Sequence, residues 1–247
     1  MRTGNPTLSA QTFATAGRVT DPAHAMTIQG TVNKTGLLLL FVLLAASWTW
    51  NLFFTSGVQA VTPYIWGGAI GGFIFALVTV FKRTWAPVTA PIYGLLQGLF
   101  LGGLSALFES QFPGIVLQAV GLTFGTLFAL LMAYKSGMIR ATENFKLGVV
   151  AATGGIFLVY LATMILGFFG VQIPLIHDSG PVGILFSLFV VVIAALNLVL
   201  DFDFIESGAA RGAPRYMEWY AAFGLMVTLI WLYIEILRLL AKLRSRR

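Results

Sequence analysis

Cysteine is absent from this sequence, and histidine occurs only twice in 247 residues. The absence of cysteine excludes disulfides, thiol catalysis and thiolate metal sites. His24 and His177 lie in a polar lead and in a predicted loop, so we do not expect them to hold a metal together. No Walker, dinucleotide-binding or nucleophile-elbow sequence is present. These absences predict a protein that is not an enzyme and has no cofactor.

Charged residues are scarce as well. Only 10% of the residues are charged, 58% are hydrophobic, and the mean hydropathy is +0.88, whereas a soluble domain usually carries about 25% charged residues. The net charge of +6 does not indicate nucleic-acid binding, because the basic residues lie at the ends of apolar runs and not in a stripe with aromatic residues. The composition therefore predicts that lipid is the solvent for most of the chain.

Long apolar runs alternate with short polar breaks after Lys34. A membrane span needs about 20 apolar residues, and seven runs reach that length: 36–55, 61–81, 87–108, 114–134, 147–170, 181–202 and 217–240. These runs show no polar face at helical spacing, so they predict an all-α integral membrane protein with about seven transmembrane helices. We expect a mobile cytosolic tail over 1–33, the seven-helix domain over 34–243 and a basic carboxyl-terminal tail over 244–247.

The positions of lysine and arginine predict the orientation of the chain. With the amino terminus inside, the inner side holds Arg2, Arg18, Lys34, Lys82, Arg83, Lys135, Arg140, Lys146, Arg211 and Arg215. The predicted outer loops at 56–60, 109–113 and 172–180 hold none. Because basic residues accumulate in cytoplasmic loops, we expect a multi-pass protein of the cytoplasmic membrane with its amino terminus inside. Seven full crossings place Lys242 outside, so either the last helix turns back or a basic tail is tolerated there.

Glycines recur at close to helical spacing in the second, third and fourth runs. They are Gly67, Gly68, Gly71, Gly72, Gly94, Gly98, Gly102, Gly121 and Gly125. Small residues at this spacing let helix backbones approach closely in a membrane. The pattern predicts tight packing of these helices.

Acidic residues are concentrated near the end of the chain. Five of the nine lie in the last two predicted helices and the turn between them: Asp201, Asp203, Glu206, Glu218 and Glu235. Asp201 falls near the inner edge of the hydrocarbon, and Asn197 lies four residues earlier on the same helix face. A carboxylate at this depth is costly unless it faces water, a cation or a partner.

Two interpretations of this acidic group are open. The acids could cap the turn and pair with Arg211 or Arg215, or they could form a cation or proton site at the inner mouth of a pathway. Glu235 is a separate case, because Arg238 follows three residues later. That spacing predicts an ion pair within the helix.

Several stretches of this sequence resemble the Bax inhibitor-1 family, most closely its bacterial YccA-like branch. They are NLVLDFDFIE at 197–206, YMEWY at 216–220, LIWLYIEILRLL at 229–240 and APIYGLLQGLFLGGLS at 90–105. The seven-run layout is similar over about 34–243. The resemblance implies a central seventh helix flanked by two three-helix layers, and a pH-sensitive calcium leak through the membrane.

The resemblance also implies a proton-sensing pair of aspartates, one on helix six and one on helix seven. Asp201 matches the first, with Asp203 two residues on. At the second position this sequence departs from the family pattern, because Thr228 stands near the expected aspartate. Either Glu218 supplies the second carboxylate from another height, or the two-carboxylate sensor is absent.

From these residues we expect a pH-sensitive calcium or cation leak channel. Asp201, Asp203, Glu218 and Asn197 would line the ion path and sense protons. Asp201 and Asp203 would offer oxygens to the transported calcium, which takes six to eight oxygen ligands. The possible gating partners are Lys82, Arg83, Arg211 and Arg215, of which Lys82 or Arg83 matches a family arginine.

Two other functions remain open at this point. The chain could be a non-conducting regulator of a membrane protease or chaperone, as members of this branch are thought to be, with the amino-terminal tail as the contact. A secondary transporter would need a substrate site near the midplane. The absence of charged residues in the middle of the first five predicted helices disfavours the transporter.

Overall fold

The computed structural model describes residues 24–169 and 180–246, and these residues are almost entirely helical. Seven long helices follow one another: α1 Ile28–Ser56, α2 Val58–Phe81, α3 Ala86–Gln111, α4 Ile115–Lys135, α5 Glu143–Phe168, α6 Pro181–Ala210 and α7 Met217–Ser245. Each is long and apolar enough to cross a membrane. The predicted all-α fold with seven spans is confirmed, and the arrangement of its layers stays a prediction.

The first helix begins earlier than the apolar run that predicted it. Thr27 caps α1, and its side chain accepts a hydrogen bond from the Gly30 backbone N–H at 2.9 Å. A cap residue of this kind sets a helix start whether or not the next residues are apolar. The last residues of the predicted tail, 28–33, are therefore helical, while residues 1–23 of that tail lie outside the described part of the chain.

The loop predicted at 56–60 is wrong, because a single residue separates α1 from α2. Gly57 has a φ of 81°, a backbone conformation that glycine adopts without steric cost. Its N–H still bonds to the Phe53 carbonyl oxygen at 2.9 Å. The two helices therefore meet at one glycine.

The sixth helix is longer than predicted. It continues to Ala210, so Asp203 and Glu206 are helical residues and the turn before α7 is confined to 211–216. The sequence suggested an earlier end because the apolar run stops at 202, between the two aspartates. Helix length instead follows backbone hydrogen bonding, which acidic residues do not interrupt.

The chain divides into two compact units. The described residues of the α1–α3 unit are 24–113 and 204–227, and those of the α4–α5 unit are 114–169, 180–203 and 228–246. In the α4–α5 unit, an apolar cluster of Ile156, Val190 and Ile193 forms a core.

Glycine spacing has a different outcome in each unit. In the α1–α3 unit, a Cβ built on Gly98 would come within 2.5 Å of the Val42 carbonyl oxygen, and one on Gly102 would overlap Thr49 and Ala46 of α1. In α4, no described atom lies within 4 Å of a Cβ built on Gly121 or Gly125. The predicted tight packing is confirmed for α3 and, within the described residues, is not met in α4.

The last helix does not turn back. It is unbroken from Met217 to Ser245. Within the α4–α5 unit, Lys242 Nζ donates to the Gly183 carbonyl oxygen at 3.1 Å, near the start of α6. Arg244 donates to Gln118 Oε1 near the start of α4 at 3.0 Å. The carboxyl end of α7 therefore lies beside the amino ends of α4 and α6.

Candidate functional site

Glu218, in the first turn of α7, is buried and accepts hydrogen bonds from α1 and its cap. Its Oε1 accepts from both the backbone N–H and the hydroxyl of Thr27 at 2.9 Å. Its Oε2 forms an ion pair with Lys34 Nζ. A Cβ at Gly30 would collide with this carboxylate, so α1 has a glycine where the acid enters. Three donors on one carboxylate favour an anchoring role, and the predicted place of Glu218 in an ion path stays a prediction.

The turn between α6 and α7 is joined to the segment that precedes α1. Ala25 and Pro214 form an antiparallel bridge. The Met26 N–H donates to the Ala213 carbonyl oxygen at 2.6 Å, and the Arg215 N–H donates to the His24 carbonyl oxygen at 2.9 Å. Together with Glu218, these bonds hold the entry to α1 against the start of α7 in the α1–α3 unit.

Asp201 lies on α6 in the α4–α5 unit and is fully buried. Its Oδ2 receives no hydrogen bond from the described residues, while the residue does make other polar interactions. One turn earlier, Asn197 Nδ2 donates to Thr153 Oγ1 of α5 at 2.9 Å and to the Ile193 carbonyl oxygen at 2.8 Å. A buried acid and a buried amide thus lie one turn apart on α6, as their spacing predicted.

Asp203, which is partly exposed, forms an ion pair with the buried Lys146, a residue that the sequence did not mark as part of a site. The Lys146 Nζ to Asp203 Oδ2 distance is 2.7 Å, and Glu143 Oε1 lies 3.6 Å from the same nitrogen. Lys34 and Lys146 thus supply pairs for Glu218 and Asp203, for which the sequence had suggested arginines of the turn. The two lysines were missed because their partners lie far away in the sequence.

A shared calcium site at Asp201 and Asp203 is not evident from the described residues. No group of three or more His, Cys, Asp or Glu side chains in that part of the chain could hold a metal. Residues two apart on a helix point in nearly opposite directions, so the two aspartates would contact a passing cation one at a time. Their role as calcium ligands stays a prediction.

The basic residues proposed as gating partners lie in the α1–α3 unit, as does Glu218. Lys82 is exposed at the end of α2, and Arg83 begins a short 3-10 turn over Arg83–Trp85. The Arg83 guanidinium lies 5.8 Å from the centre of the Tyr220 ring. Burial raises the pKa of the nearby Tyr216 phenol above its ordinary value, and the positive charge of Arg83 offsets part of that rise. Arg83 is therefore held among aromatic rings next to the α6–α7 turn.

A second polar cluster lies in the α4–α5 unit, away from the predicted mouth. Arg238 and Glu235 form the predicted pair within α7 at 2.9 Å. Tyr160 of α5, which the sequence analysis did not single out, donates its hydroxyl hydrogen to Glu235 at 3.1 Å and accepts from Arg238 at 3.1 Å. Glu235 is almost completely buried. The structure thus contains a buried carboxylate two turns beyond Thr228 on the same helix.

Comparison with protein-family models gives a match over nearly the whole chain. The family model described as Bax inhibitor 1 like matches residues 5–245. No curated protein matches the chain.

Proposed function

The chain belongs to the Bax inhibitor 1 like family, and from that premise we propose that it is a pH-sensitive calcium leak channel of the cytoplasmic membrane. The resemblance of its last third to the YccA-like branch supports the proposal that it is a bacterial member of that branch. Under this proposal the protein has no enzymatic activity and no cofactor, and calcium is the transported ion.

One observation carries the proposal: Asp201 is a fully buried acid within a helix long enough to span the membrane. The resemblance assigns this position to the proton-sensing aspartate of helix six. A carboxylate inside a membrane protein is costly and marks ion or proton pathways. Its oxygens suit calcium, whose shell is completed by carbonyl oxygens and water.

Asp203 and Lys146 supply a second element of the mechanism. Their ion pair at 2.7 Å lies two residues beyond Asp201, near the carboxyl end of α6. Under this proposal, opening of the pair frees the positive charge of Lys146 and so changes the charge at this end of the path.

The orientation of the protein is part of the proposal. Basic residues accumulate in the turns that precede α3, α5 and α7, including Lys82, Arg140 and Arg215. The positive-inside rule places these turns and the amino terminus in the cytoplasm. Asp201 and Asp203 then lie near the cytoplasmic end of the path, and the carboxyl terminus lies outside.

Calcium flux into dye-loaded proteoliposomes tests the proposal. Flux should differ across about pH 6 to 8, where shifted carboxylates can titrate, and Asp201→Asn should remove the difference because an amide neither binds nor releases a proton in this range. Glu206→Gln is the matched control, since it neutralises an exposed acid on the same helix and should keep the wild-type profile.

Absence of flux above empty liposomes, with the protein folded and inserted, would rule out the leak channel. The non-conducting regulator of a membrane protease or chaperone would then be the function to pursue, through partners of the amino-terminal segment. A pH-dependent flux that Asp201→Asn leaves unchanged would keep the leak and reject Asp201 as its sensor.

A further inference from the structure

Polar residues recur every seven residues on two helices of the α4–α5 unit. On α5 they are Lys146, Thr153 and Tyr160, and on α7 they are Thr228, Glu235 and Lys242. Seven residues are about two helical turns, so each set lies along one face with a rise of about 10 Å between members. On α7 all three are buried. Each helix thus has a polar stripe within an otherwise apolar sequence.

The two stripes meet each other or α6 at successive depths. Lys146 forms an ion pair with Asp203, and the Thr153 hydroxyl accepts a hydrogen bond from the Asn197 amide. Farther along, Tyr160 donates to Glu235. Lys242 donates to Ser187 Oγ at 2.9 Å. From Asp203 to Ser187, α6 rises about 24 Å at 1.5 Å per residue, most of the roughly 30 Å hydrocarbon thickness. We call this set of contacts the polar seam.

One apolar layer interrupts the polar seam. Ile156, Val190 and Ile193 are buried against each other, and Trp231 packs on them. In each helix these residues lie between two seam positions. The layer therefore separates the Thr153–Asn197 contact from the Tyr160–Glu235 contact.

We propose that the polar seam is the membrane-crossing route of the leak and that the layer of Ile156, Val190 and Ile193 is its gate. This inference rests on the proposed leak function. In the described conformation the layer has no polar side chain to replace the water around a cation, and an apolar constriction of this kind blocks ions by excluding water. Polar groups lie on both sides of this layer. When its three side chains move apart, the two polar parts of the route become connected.

The seam also places a second acid in the route. Thr228 stands where the resemblance expects an aspartate, and Glu235 lies one seven-residue step farther along the same face of α7. Asp201 and Glu235 are then acids on opposite sides of the gate. Arg238 forms an ion pair with Glu235 in this conformation. A cation therefore reaches the Glu235 carboxylate only when the Arg238 guanidinium moves away.

The alternative is that the seam only holds the helices together, since interhelical hydrogen bonds stabilise membrane bundles. Two features favour a route. The contacts recur over most of the membrane thickness, and charged residues are buried on these helices at Lys146, Asp201, Glu235 and Lys242. Neutral hydroxyl and amide pairs would serve packing at lower cost, because buried charges are expensive in lipid.

The first test introduces one hydroxyl into the gate. Val190→Thr keeps the side-chain shape almost unchanged and lets water enter the layer, so calcium flux should rise several-fold over wild type. Val192→Thr is the matched control, because Val192 is on the same helix and exposed outside the core, and its flux should equal that of wild type. Equal flux in all three proteins, each folded and inserted, would overturn the gate.

The second test uses the natural absence of cysteine. Single cysteines at Thr153 and Asn197, in the seam, should react with a small cationic thiosulfonate under the conditions that give flux. Cysteines at the exposed apolar positions Leu158 and Val192 are the controls and should remain unreactive, because lipid excludes the charged reagent. In the Val190→Thr background, reaction at Asn197→Cys should be faster from the Glu235 side.

The two tests separate this inference from the leak function itself. Calcium flux together with seam cysteines as unreactive as the controls overturns the route and leaves the leak intact. Absence of flux in both wild type and Val190→Thr overturns the leak, and the route with it. Flux with reactive seam cysteines supports both.

Discussion

The α1–α3 and α4–α5 units use the same kinds of residue in different ways. In the α1–α3 unit, Gly98 and Gly102 lie against the backbone of α1, and Glu218 receives three donors. In the α4–α5 unit, the glycines of α4 have no described atom near the position of a Cβ, and Asp201 is buried one turn from an amide. Residue type alone therefore does not distinguish an anchor from a candidate pathway.

If the proposed leak function holds, this contrast corresponds to different roles for the two units. An acid whose oxygens are occupied by a lysine, a hydroxyl and a backbone N–H is held in one place. The polar seam, by comparison, spreads its charges over several depths with one apolar interruption. Under the proposed leak function, the first unit would serve as a frame and the second would supply the groups of the ion route.

The largest effect should come from breaking the Glu218 anchor. Glu218→Gln leaves Lys34 without its buried anionic partner, and removal of one partner of a buried pair costs about 3–5 kcal/mol. SDS-driven unfolding in mixed micelles should show this loss. The double variant Glu218→Gln with Lys34→Met should be more stable than Glu218→Gln alone; a stability that falls further would argue that the two residues act independently.

The next largest difference in stability between the units should come from glycine substitutions. Gly102→Ala places a methyl group against Thr49 and Ala46, and overpacking of this kind costs about 1–3 kcal/mol. Gly125→Ala in α4 meets open space and should be neutral or stabilising by up to about 1 kcal/mol, since alanine is the better helix former. Equal losses in the two variants, in the same unfolding assay, would contradict the difference in packing.

A smaller effect is expected for the ion pair of the α4–α5 unit. Asp203→Asn removes the charge but keeps an oxygen that can accept from Lys146, so the loss should be near the low end for charged hydrogen bonds, about 1.5 kcal/mol. Glu143, 3.6 Å from the same lysine, limits the loss further. A cost as large as that of Glu218→Gln would show that this unit is anchored as firmly as the other.

The smallest effect should follow Tyr160→Phe. It removes the hydroxyl that donates to Glu235 and accepts from Arg238, but these two residues stay paired with each other, so the net loss should be about 1 kcal/mol. Unfolding should therefore change little, while calcium flux should change because Glu235 loses a donor in the route. Unaltered flux, with Arg238→Gln also unaltered, would confine this cluster to packing.

The sequence predicted the number and type of helices because run length depends only on the thickness of lipid. It did not predict where α1 begins or where α6 ends, since a cap residue and backbone hydrogen bonds set those positions. It also missed Lys34 and Lys146 as ion-pair partners, because their acids come from helices that are distant in the chain. Those pairings are properties of packing.

Part of the candidate site was present in the sequence but not recognised. Glu235 was predicted to pair with Arg238, which the structure confirms. The seven-residue spacing of Thr228, Glu235 and Lys242 was equally visible. That spacing could not be interpreted from the sequence, because a polar stripe on one helix indicates nothing until the helix that it contacts is known. The structure shows that the α7 stripe contacts the α5 stripe through Tyr160 and Glu235.

The contacts of α7 have a consequence for biosynthesis. This helix is synthesised after α5 and α6, and its charged residues each add about 2.5–3.5 kcal/mol to membrane insertion when they lie near a helix centre. By then Tyr160 of α5, which donates a hydrogen bond to Glu235, and Ser187 of α6, which accepts one from Lys242, have already been synthesised. The earlier helices can thus stabilise α7 as it inserts. A chain truncated before α7 would leave the polar side chains of α5 without their α7 partners, and the quality-control machinery of the cell would recognise them.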